Sequence, residues 1–83
     1  MLEKKREEIN EIDQQLIQLL EKRLAVVSEI GQIKQQQNLS VLDRQREQAV
    51  LDQVNRWTQN EDYRLPIQKI MQKIMDESKL LQI

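Results

Sequence analysis

From Glu3 to Gln36 the chain contains a single helix-breaking residue, one glycine, and its apolar residues fall on a helical period. Ile9, Ile12, Leu16, Leu19, Leu20, Val27, Ile30 and Ile33 recur at intervals of three and four, the spacing that puts side chains on one face of a helix. One helix is expected over about residues 3–36, and at 1.5 Å per residue it would be about 50 Å long. Gly31 lies inside it. A mid-helix glycine costs about 1 kcal/mol relative to alanine, so its presence points to a close backbone approach there.

The rest of the chain reads as two shorter helices. Asn38-Leu39-Ser40 is the first turn signal. Asp43 then opens a second helix over about 43–59, with Val50, Val54 and Trp57 as its apolar positions. Asn60-Glu61-Asp62 is the second turn, and a third helix over about 63–81 carries Ile67, Ile70, Met71, Ile74, Met75 and Leu81. Pro66 is placed in its first turn, where the missing amide has no intrahelical partner to lose. Helices of about 25 and 30 Å cannot cover one of 50 Å, and a compact chain of this size has a radius of gyration of only about 12 Å. The fold class expected is therefore all-α: a single domain over residues 1–83 whose long helix is covered by an antiparallel second copy in an intertwined homodimer. A simple coiled coil with a helical hairpin is the competing architecture, disfavoured by an impure a/d pattern and the lack of an e/g charge code.

Composition narrows the chemistry. With no cysteine and no histidine among 83 residues, Ser-His and Cys-His catalysis and the usual zinc sites are excluded. Thirteen Lys and Arg against 14 Asp and Glu leave a net charge of −1, which favours neither a nucleic acid nor a membrane partner. Trp57 and Tyr63 are the only aromatics, too few for a base-stacking platform. No apolar stretch reaches signal-peptide or membrane length, so a cytoplasmic protein is expected.

Charges stand where apolar residues belong. The first helix's stripe of Leu16, Leu20, Arg23, Val27, Ile30 and Lys34 contains two cations, separated by about 20° of rotation and about 16 Å of rise. Asp43, Arg46 and Glu47 share a face with Val50 and Val54. Ser78 and Gln82 continue the stripe of Ile67, Met71 and Ile74. Taken singly, each has a plainer reading: Arg23 and Lys34 snorkelling at a stripe edge, Asp43 a helix N-cap, Arg46 and Glu47 a solvated face, Ser78 a neutral helix residue, Gln82 a frayed terminus. Taken together, several buried cations without partners would each cost several kcal/mol, and an anionic ligand would offset that cost. Arg6 lies about 25 Å along the helix axis from Arg23. No small ligand touches both in one chain, but in an antiparallel dimer Arg6 would approach the partner's site.

Arg6-x-x-Ile9, Asp13-x-x-Leu16, Arg23, Gly31-x-x-Lys34, Val41-x-Asp43-x-x-Arg46-Glu47 and Ser78-x-x-x-Gln82, in this order and with these intervals, resemble the all-helical (AroQ) class of chorismate mutases. The resemblance runs from Arg6 to Gln82; only the Tyr63-Arg64-Leu65-Pro66 segment is less typical. It implies a dimer with two sites, each completed by Arg6 from the other chain. It also implies the [3,3] sigmatropic (Claisen) rearrangement of chorismate to prephenate in phenylalanine and tyrosine biosynthesis, with no metal or organic cofactor. By the same resemblance Arg6 and Arg23 clamp the two substrate carboxylates with help from Ser78. Lys34 and Gln82 donate to the ether oxygen, Glu47 holds the ring hydroxyl near the Asp43 backbone, and Arg46 adds positive potential. Arg23, Lys34, Glu47 and Gln82 are thus the expected catalytic residues. Two alternatives remain at this level: an isochorismate pyruvate-lyase on the same fold, and a non-catalytic helical dimerisation module.

Overall fold

The computed structural model describes residues 1–82, so only the last residue of the expected domain lies outside it. Three helices follow one another: α1 over Leu2–Gln36, α2 over Arg44–Trp57 and α3 over Glu61–Leu80. There is no strand among the described residues. The all-α, three-helix architecture expected from the periodicity is the one observed.

Local chemistry sets the boundaries. After Gln36 the chain turns through Asn38, which adopts a left-handed backbone (φ 57°), a conformation asparagine tolerates better than most residues. Asp43 has extended backbone and its side chain accepts a hydrogen bond from the Arg46 amide at 3.0 Å, the geometry of an N-cap. Helix α2 stops at Trp57, two residues before the expected end, because Thr58 is already extended. Asn60 caps α3 by accepting from the Asp62 amide at 2.9 Å.

That cap starts α3 two residues earlier than expected and corrects the placement of Pro66. Proline is now the sixth helical residue, past the first turn. Its missing amide leaves the Asp62 carbonyl without its usual intrahelical donor. Asp62 is exposed, so water can take the freed oxygen.

The core is small. Val27, Val50, Val54 and Met75 are its buried apolar residues, 6–8% exposed. The backbones of α2 and α3 run side by side over more residues than either does with α1. Much of α1 projects beyond them: the chain extends 54 Å along its long axis, with a radius of gyration of 15.5 Å. Ile9, Ile12, Leu16, Ile17 and Leu19 on that projecting part are each about half exposed or more. Among the described residues no helix is long and apolar enough to cross a membrane.

Candidate active site

The three helices converge on a hollow of about 440 Å³, a size suited to a small organic molecule. Its apolar floor is the buried Val27 of α1, Val50 of α2 and Met75 of α3, with the more exposed Val26 and Ile30 of α1 beside them. Around it stand Arg23, Lys34, Asp43, Arg46, Glu47, Ser78 and Gln82. Seven of the eight residues singled out from sequence therefore line one cavity. The eighth, Arg6, does not. It is exposed on the projecting part of α1, away from the hollow of its own chain.

Each side chain is held by something identifiable. Arg23 donates from Nη1 to Ser78 Oγ at 3.0 Å. Ser78, 4% exposed, in turn donates to the Ile74 carbonyl one turn back. That hydroxyl has no base beside it, so it is a fixed polar contact and not an activated nucleophile. Lys34 donates to the Val41 carbonyl at 2.9 Å, tying α1 to the loop before α2 and leaving its two other protons free to donate. Arg46 and Asp43 are exposed at the rim, where Asp43 also serves as the α2 cap.

Glu47 is held at both carboxylate oxygens. Its Oε1 accepts from Gln72 Nε2 at 3.3 Å and its Oε2 accepts from Lys79 Nζ at 3.2 Å. Lys79 also lies 3.5 Å from Asp76. The hydrogen bond to Glu47 is the main reason the Lys79 pKa is raised above its ordinary value. Asp76 is held below the ordinary carboxylate value, chiefly by a hydrogen bond from Gln72 and further by the charge of Lys79.

Gln82 lies just past the end of α3, its amide donating to the Lys79 carbonyl at 3.1 Å. Its Oε1 is buried and has no hydrogen-bond partner among the described residues. Such a group carries a desolvation cost until something polar arrives. A half-turn of the amide sets Nε2, a donor, in the same place.

Lys79, Lys22 and Gln72 were not picked out from sequence. Lys79 was legible in principle, since it stands four residues after the buried Met75. Gln72 acts on the site only through Glu47, and nothing in its spacing announces that. The wall carries five cations, Lys22, Arg23, Lys34, Arg46 and Lys79, against two carboxylates, Asp43 and Glu47. The excess is positive although the chain's net charge is −1. A doubly negative ligand with an apolar body matches both the charge and the floor.

Comparison with known proteins agrees. The model of the family described as chorismate mutase type II matches residues 5–83. A curated protein, the T-protein of Haemophilus influenzae, is 46% identical over 46 residues; the matched segment covers 55% of this chain and only 12% of that protein's length. Among solved structures, a conserved hypothetical protein from Pyrococcus furiosus superposes with a TM-score of 0.81 at 39% identity, covering 99% of this chain and 95% of that one.

Proposed function

The chain belongs to the type II chorismate mutase family, and on that premise we propose that its cleft converts chorismate to prephenate by holding the dianion in a compact conformer. The observation that carries this reading is the convergence of Arg23, Lys34, Glu47, Ser78 and Gln82 on one cationic hollow with an apolar floor. A [3,3] rearrangement breaks a C–O bond and forms a C–C bond in a single step, with no proton transfer and no covalent intermediate. Such a step needs restriction of the substrate and stabilisation of the negative charge that grows on the ether oxygen. The fixed donors of this cleft suit that task.

Arg23 takes one carboxylate, its guanidinium already oriented by Ser78; a planar fork binds a carboxylate bidentately. Lys34 and Gln82 face the ether oxygen, the one with free ammonium protons, the other with a buried amide awaiting a partner. Glu47 accepts from the ring hydroxyl near the Asp43 backbone, and Arg46 adds positive potential at the rim. The second carboxylate falls to Arg6 of a second copy. The exposed apolar face of the projecting α1 supports that pairing, since an antiparallel copy would cover this face and carry its own Arg6 toward the cleft. The site residues contain neither a thiol nor an imidazole.

The test is an assay of chorismate and isochorismate consumption with product identification. Prephenate from chorismate is the expected result. Pyruvate and salicylate from isochorismate alone would assign the lyase reaction instead, and no turnover of either compound by the dimer would overturn an enzymatic role for the cleft.

A further inference from the structure

Gly31 is the only glycine in the chain and sits in the middle of a helix, where glycine is the least suitable residue after proline. It is buried, yet it is not part of the cleft wall. A Cβ built at this position would stand 2.9 Å from Gln82 Cα and 3.2 Å from both Gln82 Cβ and Cγ. Carbon atoms settle at about 3.5–4.0 Å. The closest atom is backbone, so no rotation of the glutamine side chain relieves the contact. The whole turn after α3 would have to move.

That turn is otherwise lightly held. The Leu81 amide donates to the Ser78 carbonyl and the Gln82 amide to the Lys79 carbonyl, each at 3.1 Å. Both bonds lie within the end of α3 and fix nothing relative to α1. The close approach to Gly31 is what seats Gln82 against α1, with its amide head buried at the hollow that Lys34 also lines. Gly31 stands one helical turn before Lys34 on α1, so the backbone that carries one ether-oxygen donor also receives the other.

From this packing we infer that Gly31 is a positioning residue for catalysis: the missing side chain lets Gln82 seat beside Lys34, so both donors meet one oxygen atom. The inference rests on the role proposed above for Gln82. A methyl group added at residue 31 would meet Gln82 first, so its effect on the reaction is expected to run through that residue.

The test is a two-residue cycle of Gly31→Ala, Gln82→Ala and the double variant. Alanine is the better helix former, so Gly31→Ala is expected to fold and assemble as the unaltered protein does. Its kcat for chorismate should fall at least tenfold with KM changed less than threefold. The double variant should be no more than twofold worse than Gln82→Ala, because the side-chain amide that the shifted turn would carry out of place is already gone. Multiplying losses in the double variant, or full activity in Gly31→Ala beside a damaged Gln82→Ala, would overturn the inference. A second readout needs no turnover: the Gln82 side-chain amide pair in a ¹⁵N spectrum, assigned by its disappearance in Gln82→Ala. That pair should shift in Gly31→Ala while the other glutamine side-chain amides stay in place, and an unmoved pair would overturn the inference even in a protein without mutase activity. Full activity of Gln82→Ala, by contrast, removes the proposed ether-oxygen role and leaves the seating of Gln82 to be judged by the spectrum.

Discussion

At the scale of single residues, the cleft is lined by donors held in place by their own contacts, and the donors differ in how much they can be altered. Arg23 joins α1 to α3 through Ser78, and in the proposed function the rest of its guanidinium binds a substrate carboxylate. Arg23→Ala should lower kcat/KM by about 10²–10³, measured by loss of chorismate absorbance, while the helical circular dichroism stays unchanged. Gln82 offers a sharper test because its chemistry can be switched. In Gln82→Glu only the protonated acid donates, so activity should rise as pH falls from 8 toward 5; a flat profile would sink the ether-oxygen assignment. Lys79 was missed in the sequence because a lysine near the end of a helix has a ready explanation in the helix dipole. Its contact with Glu47 spans two helices and became visible only once α2 and α3 were packed.

At the scale of elements, the third helix is the one that departs from its expected form. Its start at Glu61 places Pro66 in the interior, where proline removes a backbone hydrogen bond and costs up to about 3 kcal/mol. Pro66→Ala should therefore raise the unfolding free energy by about 1–3 kcal/mol, read from urea midpoints, without touching the cleft. The same helix is fastened to α2 by the Gln72, Glu47, Lys79 and Asp76 group. Asp76 is held below its ordinary value of 3.8, so its folded form binds a proton less readily than its unfolded form. That contribution is complete above the ordinary value and fades as pH falls through the depressed one. Stability should decline on acidification below about pH 4, and Gln72→Ala, which removes the main cause, should make the decline shallower. The helix pattern was legible because apolar spacing is a local property of the chain. The exact start of α3 was not, because the Asn60 side chain outcompeted the proline signal.

At the scale of the whole molecule, the described residues bury four apolar side chains and leave a row of apolar ones exposed along α1, a surface suited to pairing with a second copy. Burying a leucine or isoleucine side chain contributes about 1.5–3 kcal/mol, so pairing of two such faces is the expected outcome. Sedimentation should show a dimer at micromolar concentration. Leu16→Glu, placed on that face at a position 48% exposed in the single chain, should shift the mass toward monomer. Activity should fall with it and recover partly at high protein concentration; an active monomer would end the idea that Arg6 is shared.

The long helix with which the sequence begins was set by the sequence alone, because helical periodicity, the scarcity of breakers and the rise per residue are fixed before any packing occurs. The expectation of a partner likewise came from length alone and needed no coordinates. The same local spacing put Arg23 and Lys34 on one stripe and left Gly31 as an oddity to be explained. Tertiary structure decided the rest: which residue Gly31 packs against, which carboxylate of α2 Lys79 holds, and whether Ser78 is a neutral helix residue or orients an arginine. Those are contacts between residues 25 to 55 positions apart, and no local pattern records them, because the chain brings such residues together only when the helices pack.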